Sequence, residues 1–531
     1  MVQGLEGASL KDERDYDGER ERDPRWKLAG LYERLGRMDE YLEISSQLLD
    51  ARPGDVKARC NLGRTLMRQA RFDEAEKTLS GGGATAKHWE LRFLRARLAV
   101  HRGDLEAAVK GYREAVAAKP DALEVYFYLA EALMRLERTA EMFPELRRAK
   151  SACAAPSDGD PKAWLDRFRL EFLLCDFKEA FRIGDLVLDR TRRAEHVEPL
   201  RWPRVIEEYD FTCVSEEYLG KALASLGRLA RENPRLPWTF YYRGILSRAA
   251  AGRRPAEGAD LLLREDEARV ERLAGERYGW MLMESAKRRL YAGELPAALK
   301  LLKSVVHATE PPSWLAQCMV GEALVCAGRG AAAFKAFEAA EAFAPEFEKG
   351  NILAWKGEML LWRGEYPRAM EVLDEALKRS SQYAHCWKGG ALVASGRPLE
   401  ALAILERAIA ISPWALEAKA WRADALHRLG RHREALEQLA LPRGEAASSN
   451  YYWHVLRGLI RRALGDAPGL REEYALARTS LLANFAAGAR LKRRLAAPAS
   501  DDALAAELES LLSSSRGLRR GAPYESLVWM S

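Results

Sequence analysis

A ladder of small and apolar residues recurs along this chain at nearly constant spacing, and it restricts the possible folds more than any other feature. From Gly389 a second glycine follows after seven residues, and alanine, leucine, alanine and proline follow at steps of five, four, three and five. Copies with an aromatic residue in place of leucine begin at Gly321 and Ala96, and a copy with serine in place of proline begins at Gly357. Weaker copies begin at Ala29, Gly63, Ala130, Ala286, Ala423 and Gly458. Repeats spaced by 32 to 36 residues predict a stack of similar supersecondary units.

Each step of the ladder has a physical reason in a pair of helices. The small first residue lets a second helix pack close, and the second glycine closes the first helix in a left-handed conformation that other residues adopt at a cost. The alanine, the large apolar residue and the next alanine lie on one stripe of the second helix, which the proline ends. We therefore expect glycines in the left-handed region at Gly103, Gly293, Gly328, Gly364 and Gly396.

The ladder resembles the tetratricopeptide repeat family, whose unit is a helical hairpin of 34 residues. The clearest copies lie in residues 278–440 and 89–120, and the resemblance extends over most of residues 24–480. It implies an all-α solenoid of about 12 hairpins that form a right-handed superhelix. The pentatricopeptide family, which would imply RNA binding, fits less well because the step of five and the terminal proline favour the tetratricopeptide type.

The phase of the repeat divides the chain into segments. Residues 24–150 form an N-terminal block, residues 277–480 form a C-terminal block, and the degenerate, helical segment 151–276 between them is expected to bend or divide the array. The flanking segments are a charged N-terminus expected to be disordered (1–23), two capping helices (481–516) and a tail (517–531). Because the last residues of the tail are mostly apolar, we expect it to dock on its own superhelix or on a partner.

Composition narrows the class of function. A net charge of +6, from 84 basic and 78 acidic residues, is small for a nucleic-acid binder, although a solenoid with arginine-rich faces remains the alternative. The seven cysteines form no CxxC pair, which indicates a reducing compartment. The sequence shows neither a signal peptide nor an apolar run long enough for a membrane, so we expect a cytoplasmic protein.

The sequence carries none of the common catalytic motifs, so we expect no enzyme, no cofactor and no metal. Cys318, Glu322 and Cys326 lie four apart on one helix and, with His385 and Cys386, would be candidate zinc ligands. Small half-buried residues of a packed helix have the same pattern. A nucleophilic pair of Cys386 with His427 or His454 would need two rigid helices to bring the groups into contact.

In the resembling family the first helices of the hairpins line a concave groove that binds proteins, and the same positions of this chain carry aromatic and charged residues. Such a mixture is typical of protein interfaces, although the aromatic residues fit the core between repeats as well. The function expected is a scaffold, an adaptor or a regulatory subunit of an effector enzyme that binds a protein or peptide. The predicted groove residues are Phe93, Phe127, Trp280, Glu322, Glu358, Trp362, Tyr383, Asp424 and His427.

Overall fold

The computed structural model describes residues 23–34, 38–68, 71–81, 88–153, 161–191, 214–253, 259–291, 294–306, 312–379, 381–411, 416–439, 451–480 and 500–514. Within these ranges every regular element is helical and none is a strand, which confirms the all-α prediction. The segments predicted as a disordered N-terminus and a docking tail lie outside the described residues, apart from Asp23. Of the two predicted capping helices, the described part contains one.

The helices of the first half, in chain order, are α1 Pro24–Arg34, α2 Met38–Ala51, α3 Val56–Arg68, α4 Phe72–Ser80, α5 Trp89–His101, α6 Leu105–Ala118, α7 Leu123–Arg135, α8 Thr139–Ala152, α9 Pro161–Leu173, α10 Phe177–Thr191, α11 Glu216–Glu232, α12 Pro237–Arg253 and α13 Ala259–Leu273. A 3₁₀ turn over Glu276–Tyr278 follows.

The helices of the second half are α14 Gly279–Tyr291, α15 Leu295–Val306, α16 Trp314–Cys326, α17 Gly330–Phe343, α18 Glu346–Trp362, α19 Tyr366–Lys378, α20 Ala384–Ala394, α21 Pro398–Ile411, α22 Leu416–Arg428, α23 His432–Gln438, α24 Tyr451–Ala463, α25 Ala467–Ser480 and α26 Asp501–Ser514.

Consecutive helices pack as antiparallel hairpins, and neighbouring hairpins stack through their first helices, as in α18, α20 and α22. The hairpins pair α1 with α2, and so on to α9 with α10, and then α12 with α13 to α24 with α25. Helix α26 packs on both helices of the last pair. This arrangement is a helical-repeat solenoid; the number of repeats and the right-handed superhelix remain predictions.

In every hairpin whose turn lies within the described residues, one turn residue has positive φ. Gly103, Gly328, Gly364 and Gly396 have φ between 74° and 81°, which confirms four of the five predicted left-handed glycines. The fifth, Gly293, lies outside the described residues. At Gly396 the turn is closed by two backbone bonds: its N–H donates to the carbonyl of Val393 and the Arg397 N–H donates to that of Leu392. Two hairpins place a non-glycine residue at the same point, Glu137 with φ 57° and Cys175 with φ 60°.

In three clear repeats the small residue lies against the large residue sixteen positions later. A Cβ added to Gly321 would come within 2.6 Å of Phe337, and one added to Gly357 would come within 2.5 Å of Leu373. Gly389 is packed against Leu405 in the same way, which confirms the predicted close helix contact. The hairpin of α9 and α10 reverses the pair, since Phe168 takes the small position and Gly184 the large one, with a Cβ at Gly184 reaching within 3.1 Å of Phe168.

The irregular central segment contains a helix that is additional to the hairpins. Tyr218 in this helix, α11, donates from its hydroxyl to the carbonyl of Phe172 at 3.1 Å, so α11 covers the end of α9. Asp185 of α10 accepts hydrogen bonds from the Trp238 indole and the Tyr278 hydroxyl, both at 2.9 Å, and so joins α10 to the elements that follow α11. A buried hydrophobic cluster runs from Leu28 to Met359 through this segment, so the core is continuous across it.

Candidate partner-binding face

Most of the predicted groove residues do not present an open surface. Trp362 and His427 are half-buried, whereas the other seven are buried between helices of this chain: Phe93, Phe127, Trp280, Glu322, Glu358, Tyr383 and Asp424. As placed, those seven contact their own chain, so the nine residues do not form one open inner wall, and their part in binding a partner stays a prediction. Their contacts give the physical reason for the difference.

Three of the four buried aromatic residues of this set fill the space between neighbouring hairpins. Phe93 lies between the rings of Tyr112 and Tyr128, at centroid distances of 6.0 and 5.2 Å. Trp280 meets the ring of Tyr241 at 4.8 Å and that of Trp238 at 5.4 Å.

Phe127 is covered by the guanidinium of Arg169, which is 4.4 Å from the ring centroid. For Phe93, Phe127 and Trp280 the core interpretation therefore describes the structure better than a role in direct contact with a partner.

The three acidic residues are buried, and neighbouring groups donate hydrogen bonds to each of them. The Trp355 indole donates to Glu322 at 3.1 Å, and Arg428 donates to Asp424 at 2.7 Å. Buried carboxylates are costly unless they are hydrogen-bonded, so each acid also constrains the helix that supplies its donor.

Glu358 is fully buried and ties two of the predicted residues together. Its carboxylate accepts from the Trp362 indole at 3.0 Å and from the Tyr383 hydroxyl at 2.8 Å. The structure thus unites Glu358, Trp362 and Tyr383 in one site, between α18 and the start of α20.

Trp362 stands on an aromatic platform built from three consecutive hairpins. Its ring centroid is 5.7 Å from that of Trp387 and 6.3 Å from that of Trp421. Trp421 reaches across α20 because Gly390 has no side chain: a Cβ there would come within 2.6 Å of the Trp421 ring. We call Glu358, Trp362, Tyr383, Trp387 and Trp421 the tryptophan platform.

His427 has a different environment from the rest of the predicted residues. Its Nδ1 lies 3.1 Å from the Nδ1 of His432 at the start of α23, so one imidazole donates and the other accepts. Burial and the nearby His432 lower the pKa of His427, which outweighs the opposite effect of Asp424. His427 is therefore neutral at neutral pH and contributes a hydrogen-bonded ring rather than a charge.

The groups considered for catalysis are not arranged for it. Burial, with the charges of Glu417 and Glu358, raises the pKa of the Cys386 thiol well above its ordinary value, which is the opposite of what a nucleophile requires. His454 is buried and holds Glu473 at 2.8 Å, a carboxylate that Arg457 also binds at 2.6 Å. Among the described residues, no three histidine, cysteine, aspartate or glutamate side chains are grouped to hold a metal ion.

Comparison with known families identifies the repeats. Models of the tetratricopeptide repeat match residues 93–158, 283–346 and 392–459. These segments are tetratricopeptide repeats. Their position agrees with the clear copies of the ladder, and tetratricopeptide repeats generally mediate protein–protein interactions and are typically non-catalytic.

Solved structures of tetratricopeptide proteins resemble the chain at low identity. Yeast Tom70 is 14% identical, with 79% of this chain and 96% of that chain covered and a TM-score of 0.33. A human IFIT1 dimer with PPP-AAAA is 14% identical, covering 88% and 95% with a TM-score of 0.35. The APC/C hetero-tetramer Cut9–Hcn1 is 13% identical, covering 89% of each chain with a TM-score of 0.32. No curated protein matches the chain significantly.

Basic residues of the tetratricopeptide hairpins are often paired with acids where the second helix begins. In four hairpins the arginine that precedes this helix binds the glutamate three residues later through two N–H groups: Arg71 with Glu74, Arg138 with Glu141, Arg397 with Glu400 and Arg431 with Glu434. These guanidinium groups are thus already occupied by carboxylates, and nothing in their arrangement favours the nucleic-acid alternative. In the described part of the chain, no helix is long and apolar enough to cross a membrane.

Sequence reasoning missed Trp387 and Trp421, which belong to the tryptophan platform, and Gly390, which makes room for Trp421. Trp387 and Trp421 occupy the same repeat position as Trp355, at spacings of 32 and 34 residues, and this recurrence was a usable signal. Gly390 gave a weaker one, as a second glycine directly after the ladder glycine Gly389. The contact between Trp362 and Trp421 depends on the stacking of three tetratricopeptide hairpins, which no local pattern encodes.

Proposed function

We propose that this protein is a non-catalytic scaffold or adaptor that binds a partner protein or peptide on the face formed by the first helices of its C-terminal repeats. The observation that carries the proposal is Trp362, a half-buried aromatic residue held in place by Glu358, Trp387 and Trp421. Rigid, partly exposed aromatic residues are the usual anchors of protein interfaces, because little side-chain entropy is lost when they bind.

The buried residues predicted for the groove act indirectly in this proposal. Tyr383 and Glu358 hold the Trp362 ring, while Glu322 and Asp424 fix the first helices of other C-terminal hairpins. An effector enzyme that the protein regulates is one kind of partner in this proposal. A cytoplasmic location belongs to the same proposal and is supported by cysteines without a CxxC pair.

The test is affinity capture from the native cell with wild-type protein, Trp362→Ala and a matched control. Phe347→Ala is the control, since Phe347 is an aromatic residue at the other end of α18 and is 69% exposed. We expect Trp362→Ala to lower partner binding by at least about tenfold, roughly 1.4 kcal/mol, and Phe347→Ala to leave it unchanged.

Thermal melts of the same variants separate binding from folding. Trp362→Phe retains a ring on the platform and should melt close to the wild type while it loses part of the affinity. If the alanine variant captures the same proteins in the same amounts, the partner site is not on this face.

A further inference from the structure

Arginine side chains of this chain cover the rings of many aromatic residues. The guanidinium carbon of Arg97 is 4.9 Å from the Tyr128 ring centroid, that of Arg269 is 4.9 Å from Phe240, and that of Arg368 is 5.4 Å from Phe334. Phe127 is covered in the same way by Arg169. A cation over an aromatic face is attracted by the negative potential of the ring, and tryptophan provides the strongest such site.

Trp362 differs from these residues although its side chain is only half-buried. Within the described part of the chain, no arginine or lysine lies over its ring, whose recorded partners are Glu358, Trp387 and Trp421. Its N–H group is already bonded to Glu358, so a further ligand meets the π face of the indole rather than a donor.

The carboxylate at the N–H edge of the ring favours a cation over a neutral group. The Glu358 carboxylate is fully buried and accepts the Trp362 N–H at 3.0 Å. A carboxylate at that distance polarises the indole and makes its face more negative, and the low dielectric of the interior strengthens the effect. Glu322 and Asp424 are buried acids at the corresponding position of other first helices in this block.

We propose that the tryptophan platform is a receptor for one cationic side chain, the guanidinium of an arginine or the ammonium of a lysine, presented by the partner protein and placed against the exposed part of the Trp362 indole. The inference rests on the proposed function, because it names the chemistry of the partner that this face binds. The cation stacks on Trp362, and Glu358 acts through the indole as a positioning and polarising residue.

The probe is a peptide of arginine and glycine with both ends blocked, compared with the same peptide in which citrulline replaces arginine. Citrulline keeps the length and planar shape of the side chain but lacks its charge and has an accepting oxygen in place of one donating nitrogen. Binding is followed by the shift of the Trp362 indole N–H signal in nuclear magnetic resonance spectra of the full chain. We expect the arginine peptide to bind at least about fivefold more tightly than the citrulline peptide.

Three variants and one control make the test specific. Trp362→Leu keeps an apolar side chain but removes the π face and should abolish the preference for arginine, whereas Trp362→Phe should retain part of it. Glu358→Gln keeps an acceptor for the indole without the charge and should reduce the preference. Phe347→Ala is the control and should bind the arginine peptide as the wild type does.

Two results separate failure of this inference from failure of the proposed function. Equal binding of both peptides, or an unchanged preference in Trp362→Leu, overturns the cation site. If Trp362→Ala still loses its cellular partner in that case, the scaffold proposal stands with an apolar anchor. A preference for arginine that disappears in Trp362→Leu and survives in Phe347→Ala supports the cation site.

Discussion

At the scale of single residues, the turns inside the hairpins are the points where sequence and backbone geometry conflict. Glu137 and Cys175 occupy the left-handed position that glycine fills at Gly396 and its equivalents. A side chain in that region costs about 1–2 kcal/mol, partly offset by the smaller backbone entropy that a non-glycine residue loses on folding.

We expect Glu137→Gly to raise the free energy of unfolding by about 0.5–1 kcal/mol, since Glu137 is exposed and its side chain leaves no cavity. Chemical denaturation measures the change. The reverse substitution, Gly396→Ala, should lower stability by about 1 kcal/mol. A Glu137→Gly protein that is less stable than the wild type would show that this turn is not strained.

A second prediction at this scale concerns acid. Hydrogen bonds from Arg138 and Arg113 lower the pKa of Glu141 from 4.5 to about 2. A carboxyl group whose pKa is lower in the folded state stabilises the fold above about pH 4.5, and this contribution is lost as the pH falls towards 2. The loss is small for a pair this exposed.

Urea midpoints at pH 6 and pH 3 test the acid prediction. The decrease between the two values should be smaller in Glu141→Gln than in the wild type, because the variant has no carboxyl group to protonate at this position. Glu114→Gln serves as the control, since the described part of the chain shows no ion pair for the exposed Glu114. The control should lose as much stability as the wild type does.

At the scale of elements, the hairpins are held by the contact between one small and one large residue. Gly389→Leu should lower the free energy of unfolding by roughly 1–3 kcal/mol, because the new side chain would overlap Leu405 across the hairpin. Thermal melts show directly whether the substitution lowers or raises the stability of the protein.

Gly220→Ala provides the matched control for that substitution. Gly220 is an exposed glycine inside α11, where an added Cβ would meet nothing within 4 Å. Alanine should therefore stabilise the protein by about 0.5–1 kcal/mol through helix propensity alone. If both substitutions changed the free energy of unfolding in the same direction, packing at Gly389 would not explain the effect of Gly389→Leu.

The ladder predicted these hairpins well because its signals are local. Glycine after a first helix, as at Gly364, and a small residue sixteen positions before a large one act within a single hairpin. The exposure of first-helix side chains was not predictable, because α16 and α20 contact neighbours on several sides and carry almost no polar face. Periodicity then cannot distinguish a half-buried residue, such as Trp362, from one that fills the core, such as Phe127.

At the scale of the whole molecule, stacked hairpins form a core that extends along the chain rather than around one centre. The buried clusters follow one another from Leu28 to Met359, from Leu353 to Ala425 and from Ala420 to Leu508. In such an array each unit is stabilised by its neighbours.

We expect circular dichroism to show a predominantly helical protein and small-angle scattering to show an elongated particle for a mass of 59.7 kDa. A radius of gyration equal to that of a compact sphere of this mass would contradict the solenoid. A strand content near the 20–25% of ordinary domains would contradict the fold itself.

The reversed pair of Phe168 and Gly184 has a consequence for how such an array diverges. The hairpins of Gly321, Gly357 and Gly389 put glycine first and phenylalanine or leucine second, and the hairpin of α9 and α10 puts them in the opposite order. When one order changes into the other by one substitution at a time, the intermediate sequence has either two large residues or two small ones at these positions. Two large residues overlap at a cost of roughly 1–3 kcal/mol, whereas two small ones leave a cavity that costs about 3–5 kcal/mol. A solenoid can survive that loss because adjacent units hold the damaged one in place, so repeats in the middle of a chain can drift in sequence while their shared architecture is inherited.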